Sequence, residues 1–171
     1  ADGYRPVFAV YSTFLQRAVD CVMHDVCIQR LPVLFCVDRA GVVGGDGPTH
    51  HGIYDIPMLR CLPGLVIMQP KDTVELVAMM KAALALNGPA VIRYPREPGP
   101  AVTPPAEIGP AEIGKAEVVR PAGGVEGPSV WLWALGDMVP LALAAAGELA
   151  AGGVRAGVVN ARFVKPLDAG L

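Results

Sequence analysis

Pro32 to Gly52 reads PVLFCVDRAGVVGGDGPTHHG, and this stretch decides the fold. Pro32 to Val37 is a continuous apolar run of the kind a fully buried parallel strand needs. Asp38 to Gly52 then carries two Asp, one Arg, two His and five Gly, with hardly an apolar residue besides Val42 and Val43. Such a segment is no part of a core, so it hangs as a loop from the strand's carboxyl end. In open α/β sheets that end is where ligands sit, because the crevice there exposes backbone amides and helix N-termini. Long loops without structure of their own are functional or disordered. The glycines let backbone approach a ligand closely, but GVVGGDG fits neither the dinucleotide fingerprint nor the phosphate-binding P-loop.

Outward from this stretch the chain alternates strands and helices. Arg5 to Tyr11, RPVFAVY, reads as a buried strand, and Thr13 with Gln16 gives a capping-box signature for a helix running to about Arg30. Leu15, Ala18, Val19, Val22 and Val26 share one helical face, while Gln16, Asp20 and His24 fall on another, solvated one. Leu31-Pro32 ends that helix. Beyond the loop come an apolar-patterned piece from Tyr54 to Leu62, a Pro63-Gly64 turn and a third strand from Leu65 to Met68. Asp72 and Glu75 cap a helix through Leu86, which Asn87-Gly88-Pro89 is expected to stop with a left-handed cap. Ala90 to Tyr94 is a fourth strand, delivering Arg93, Tyr94, Pro95 and Arg96 to the same sheet edge as the Asp38 loop if the strands are parallel. The pattern predicts an α/β fold, a parallel sheet flanked by helices over residues 1–97.

From Glu97 the composition shifts to Pro, Gly, Ala and Glu, so residues 98–127 read as an inter-domain linker, with one further strand within Glu112 to Val119. Residues 128–171 read as a second, truncated α/β unit: a strand at Val130–Leu135, a helix from about Asp137 to Ala151 stopped by Gly152-Gly153, and a strand at Val154–Asn160. Two strands and one helix bury too little apolar area to offset their ordering entropy alone, so this unit is expected to be the front of a longer domain. The abrupt start, with a strand almost at once, likewise suggests a segment upstream.

Of the 171 residues, 53% are apolar and 18% charged, which makes the chain globular. A formal charge of −2 without a basic run gives no footprint for nucleic acid. No secretion signal and no uninterrupted membrane-spanning stretch is present, so neither a membrane partner nor export is expected. Cys21, Cys27, Cys36 and Cys61 form no CxxC pair and lie in apolar segments; reduced, buried thiols in a cytosol-like compartment are the expectation. Met79 and Met80 read as core.

The candidate site residues each admit two readings at this point. His50 and His51 are adjacent, so in an extended loop they point apart and do not share a metal. At most one faces a pocket, where Asp46 would orient it; alternatively Asp46 is a turn residue bonding nearby amides. Arg39 and Arg96, at neighbouring strand ends, either form ordinary surface ion pairs or together hold one phosphate or carboxylate. Tyr11 and Phe14 offer an aromatic wall for a flat ligand, or pack into the core.

YSTFLQRAVDCVMHDV, DRAGVVGGDGPTHHG, LRCLPGLVIMQPKD and AVIRYPRE together closely resemble the pyrimidine-binding domain of the 1-deoxy-D-xylulose-5-phosphate synthase family, thiamine diphosphate enzymes of the transketolase-like group. The resemblance is dense from Tyr4 to Glu97 and continues through IGKAEVVR and ARFVKPLD, which look like the lead-in and opening of that family's third domain. It implies a transferase of the bacterial cytosol or plastid stroma that decarboxylates pyruvate on the cofactor. The two-carbon unit is then added to D-glyceraldehyde 3-phosphate, giving 1-deoxy-D-xylulose 5-phosphate for isoprenoid, thiamine and pyridoxal biosynthesis. By position, Phe14 would stack on the aminopyrimidine, Tyr11, Arg39 and Arg96 would hold the sugar phosphate, and Asp46 and His50 would orient substrate and intermediate. A homodimer is implied. No metal ligand is assigned here: the diphosphate and Mg2+ would be held mainly by a first domain that these residues do not include, and the family's ring-protonating glutamate would lie just upstream of Ala1. Glu97 replaces the usual glycine after RYPR, putting an extra negative charge beside Arg96. The expectation is therefore a piece of such a synthase, inactive by itself. The alternatives are another thiamine-dependent subunit such as the β chain of a 2-oxo acid dehydrogenase, a non-catalytic binding or dimerisation module of the same fold, and a plain nucleotide-binding domain.

Overall fold

The computed structural model describes residues 3–123 and 129–171. Strands β1 (Val7–Tyr11), β2 (Leu34–Asp38), β3 (Val66–Met68) and β4 (Ala90–Arg93) form a sheet in the order β1-β2-β4-β3, all parallel. Alternate residues of the central strands go to opposite faces. Phe35, Val37, Ile67 and Val91 pack with Leu15, Val22, Leu59 and Leu62 on one side. Leu34, Val66, Met68, Ala90 and Ile92 meet Met79 and Ala83 on the other. Both faces are covered, which is why these strands are apolar up to Asp38 at the end of β2 and Arg93 at the end of β4.

β1 departs from the expectation of a buried strand. It is the last strand in the sheet order, and Val7 and Phe8 are 52% and 48% exposed. The helix after it is also not one regular helix. It opens as α1 (Ser12–Leu15), tightens to a 3-10 turn at Gln16–Ala18, returns briefly as α2 (Val19–Cys21) and widens to a π-helix over Val22–Cys27. The wide turns are carried by hydrogen bonds from Ile28 N–H to Met23 O and from Leu31 N–H to Val26 O, each spanning five residues. The capping box does not form, because Tyr11 holds the cap position and the Thr13 hydroxyl donates instead to the Thr49 carbonyl at 3.0 Å. The helix periodicity nonetheless buries Leu15 and Val22 and leaves His24 outside, paired with Asp20 at 2.9 Å.

The Tyr54–Leu62 piece contains the short helix α3 (Asp55–Leu59). Helix α4 (Thr73–Ala85) begins as predicted, the Asp72 carboxylate accepting from Glu75 N–H at 2.7 Å. Its end differs: Leu86 leaves in an extended conformation, and neither Asn87 nor Gly88 takes a positive φ. Pro89 biases the chain before it toward extended backbone, so no left-handed cap is required.

In the second unit β5 (Glu117–Arg120), β6 (Ser129–Ala134) and β7 (Arg155–Asn160) form a sheet in the order β5-β7-β6, with β6 and β7 parallel and linked by α5 (Met138–Ala151). Ala146, Ala156 and Val158 form its core. Gly152-Gly153 stops α5 as expected, with Gly153 at φ +81. The predicted linker end and unit start fall at 124–128, outside the described residues. A strand absent from the sequence reading, β8 (Phe163–Lys165), returns to pair antiparallel with β3 and buries Phe163 completely in the first sheet's core.

All four cysteines are free. Cys27 is buried and Cys36 half-buried, and burial pushes both thiols up from their usual range. Cys21 and Cys61 are exposed, contrary to the buried reading: Cys21 lies on the outer side of the helical segment and Cys61 in the turn after α3. Among the described residues no helix is long and apolar enough to cross a membrane.

Candidate functional site

The Asp38 loop leaves β2 through Arg39, a non-glycine residue at φ +56. That conformation is costly for a side-chain-bearing residue and persists only where its surroundings hold it. Here the Arg39 guanidinium donates to Asp38 at 2.6 Å and to Asp46 at 2.9 Å, and lies 3.8 Å above the Tyr11 ring. The loop is closed at its base by Gly41 N–H to Gly52 O at 2.8 Å and Gly52 N–H to Gly41 O at 2.7 Å. Gly52 has no room for a side chain: a Cβ there would fall on the Arg39 carbonyl and 2.6 Å from Ser12 Cβ. Ala40 N–H donates to Tyr94 O, and Tyr94 N–H to Val37 O, each at 3.0 Å, so the parallel ends of β2 and β4 stay joined up to the loop.

This scaffold gathers the candidate residues. Tyr11 and Phe14 stack with ring centroids 5.4 Å apart. The His50 ring meets Phe14 edge-on at 5.5 Å and Tyr11 at 6.3 Å. Asp46 lies between the two arginines, its Oδ2 also 3.4 Å from Arg96 Nε. The hydrogen bond from Arg39 holds the Asp46 carboxyl below the usual range against a smaller opposing effect of burial, helped by the charges of Arg96, Arg39 and His50. The same bond raises Arg39. Tyr11, Phe14, Arg39, Asp46, His50 and Arg96 are thus one connected cluster at the strands' carboxyl ends. Phe14 is 40% exposed, a large aromatic surface left open beside charged groups. His51 turns away from the cluster, accepting from Val43 N–H at 3.0 Å through Nδ1.

Arg93 does not join them. It is buried, paired with Asp55 through Nε at 2.9 Å and Nη2 at 3.2 Å and hydrogen-bonded to Gln69, so it anchors α3 to β4. Sequence reading also passed over Asp38 as a partner of Arg39, although an acid next to an arginine at a strand end is a usable signal. The partnership of Asp55 with Arg93, across 38 positions, has none. Arg96 borders a cavity of about 360 Å³, whose wall includes Val42, Leu76, Tyr94 and Pro140. Burial, and then the charges of Cys36 and Asp38, raise the Tyr94 hydroxyl, keeping it neutral. Arg39, Asp46, His50, Tyr11 and Phe14 lie outside this cavity. Among the described residues no group of three or more His, Cys, Asp or Glu converges to hold a metal ion.

The family model for the transketolase pyrimidine-binding domain matches residues 1–100. The chain belongs to that family. The transketolase C-terminal domain model matches residues 114–171 of this transketolase-type chain. It is 54% identical over 168 residues to 1-deoxy-D-xylulose-5-phosphate synthase 1 of Geobacter metallireducens, covering 98% of this chain and 26% of that protein. It is 55% identical over 171 residues to the 1-deoxy-D-xylulose-5-phosphate synthase of Thermomicrobium roseum, again covering 26% of the relative. The chain therefore spans about a quarter of the length of these curated relatives. Among solved structures it is similar to a split gene transketolase, inactive beta4 tetramer, with a TM-score of 0.83 and 32% identity over 98% of this chain and 52% of that one.

Proposed function

We propose that this chain supplies the pyrimidine side and the sugar-phosphate side of a 1-deoxy-D-xylulose-5-phosphate synthase, acting on pyruvate and D-glyceraldehyde 3-phosphate. The observation that carries the reading is the convergence of Arg39 and Arg96 on one carboxylate, beside the His50 ring and the open ring of Phe14. A cofactor with a flat heteroaromatic ring fits that exposed aromatic wall. Thiamine diphosphate, when bound, supplies the electron sink for decarboxylation. Phe14 stacks on its pyrimidine, and Tyr11 backs Phe14. Arg39 and Arg96 hold the acceptor's phosphate by charged hydrogen bonds. His50, 3.0 Å from the Thr49 hydroxyl, and Asp46 orient the acceptor's polar groups and hold or move protons at its carbonyl end.

No residue described here is assigned to Mg2+ or to the diphosphate; in this reading they belong to another domain, which also covers Phe14. The assembly is a homodimer in the cytosol or plastid stroma. A protein limited to these 171 residues binds the acceptor phosphate but does not turn over. Isothermal titration with D-glyceraldehyde 3-phosphate tests the reading: binding should be lost on Arg39→Ala. Turnover assays with thiamine diphosphate, magnesium and pyruvate complete the test. Turnover by this chain alone, or undiminished binding by Arg39→Ala, refutes it.

A further inference from the structure

We propose that the Asp46 carboxylate is a resident occupant of the anion site between Arg39 and Arg96, and that a phosphate monoester enters by displacing it. This rests on the reading of the two arginines as the phosphate holders.

In the structure those arginines are already engaged. One atom, Asp46 Oδ2, is shared by Arg39 Nε at 2.9 Å and Arg96 Nε at 3.4 Å, as a single phosphate oxygen would be. The remaining capacity of Arg39 is largely taken by Asp38 and by the Tyr11 face. Arg96 otherwise makes, among the described residues, a loose contact to Glu97 at 3.5 Å. An incoming anion therefore competes with Asp46 rather than filling an empty fork.

The acid sits where it can yield. Gly44, Gly45 and Gly47 flank it, a Cβ at any of the three would meet nothing within 4 Å, and Gly47 takes φ +82. The base of the loop has no such freedom, since Gly41 and Gly52 are cross-bonded and Gly52 is wedged on Ser12 and Arg39. The tip can turn while Arg39 keeps its bond to Asp38 and its place over the Tyr11 ring, and the His50 ring keeps its contacts with Tyr11 and Phe14. A phosphate monoester carries a charge of about −1.5 to −2 near neutral pH, against the single charge of Asp46, so it wins the contest for two guanidinium groups. The displaced carboxylate remains near His50 and becomes a free acceptor for a substrate hydroxyl. Phosphate arrival would thereby switch Asp46 from holding the arginines to holding the acceptor.

The test is titration of the full chain with inorganic phosphate and with D-glyceraldehyde 3-phosphate, comparing the unsubstituted protein with Asp46→Asn, Glu97→Gln and Arg39→Ala. Removing the occupant should tighten both ligands about tenfold, the scale of two partly exposed charged hydrogen bonds. Glu97→Gln removes an equal charge beside Arg96, but from a side chain 76% exposed, and should change affinity less than about twofold. Equal or weaker binding by Asp46→Asn, with Arg39→Ala abolishing binding, overturns displacement and leaves the arginine reading intact. A gain matched by Glu97→Gln overturns it too, because the effect is then general charge. Absence of binding in every protein, or no effect of Arg39→Ala, sinks the arginine reading and the displacement with it. If Asp46→Asn does not fold, amide NMR of the unsubstituted chain decides: phosphate should shift Gly44, Gly45 and Gly47 and spare Gly41 and Gly52, and saturation without those shifts refutes displacement.

Discussion

Asp55→Ala probes the buried ion pair that ties α3 to β4. The Asp55 side chain is 1% exposed and Arg93 9%, and the two meet by a forked pair at 2.9 and 3.2 Å. Among the described residues the Arg93 guanidinium has one other partner, Gln69, which in turn donates to Asp137 at 2.7 Å. Taking away the acid leaves a buried charge served by one neutral amide. Breaking such a pair costs about 3–5 kcal/mol, most of it the uncompensated charge rather than lost attraction. In a chain of this size each kcal/mol moves the melting temperature by about 2–4 °C, so a fall of about 6–20 °C is expected. Urea unfolding followed by circular dichroism measures it, with the denaturant slope unchanged if only stability has moved. The double variant Asp55→Leu with Arg93→Met separates the causes. Replacing a buried pair by apolar groups of similar volume is nearly neutral, so the double variant should recover most of the loss. A cost below about 1 kcal/mol for Asp55→Ala, or a double variant less stable than the single, refutes the reasoning.

Gly52→Ala should move the loop base off Ser12 and the Arg39 carbonyl, costing about 1–3 kcal/mol and weakening phosphate binding, and calorimetry on the variant checks both. Exposed Cys21 and Cys61 should be alkylated by iodoacetamide well before Cys27 and Cys36, whose thiols burial keeps protonated; mass spectrometry of the digested protein gives the order. Stability should fall in acid. Asp46, Glu117 and Asp168 all titrate below their ordinary values when folded: Asp46 through the Arg39 bond, Asp168 through the Gly170 and Ala116 amides, and Glu117 because Lys71 and Arg162 outweigh its burial. Their contribution is therefore complete above about pH 5 and lost progressively as pH falls through about 4 and below. Urea midpoints that stay level down to about pH 3 would contradict this.

The strands and the site were legible for different reasons. β2, β3 and β4 are buried on both faces, so each shows as an unbroken apolar run, PVLFCV being the plainest. The loop was legible through its lack of apolar residues, and Arg39, Asp46 and His50 lie together because a loop closed at Gly41 and Gly52 has little room to spread. What escaped was set by partners distant in sequence. β1 reads as apolar as β2, and only the sheet order makes it an edge. The π-helical turns of Val22–Cys27 have the same apolar spacing as an α-helix. Phe163–Lys165 is too short for any periodicity, and its burial comes from β3, almost a hundred positions earlier. Arg93 and Arg96 differ in fate because strand alternation turns the first toward Asp55, whereas the second lies beyond β4 and reaches the loop.

The composition break after Glu97 reads as a linker in the sequence, yet the contacts across it involve some of the most buried polar side chains among the described residues. Glu75, on α4, accepts from Lys71, from Asn160 at 3.0 Å and from Arg162 at 2.6 Å, and is itself buried. Arg162 and Lys71 both also reach Glu117. A buried carboxylate without donors costs more than its hydrogen bonds return, so α4 and β7 are stable in this arrangement only together. A second path runs from Asp137 to Gln69 to Arg93 on β4, the strand whose extension carries Arg96. Gly136, at φ +58, packs so closely on Gln69 that no side chain would fit there. The second unit thus braces β4, the strand that leads into Arg96, and a change at Asp137 reaches Arg93 through Gln69 by side chains in direct contact.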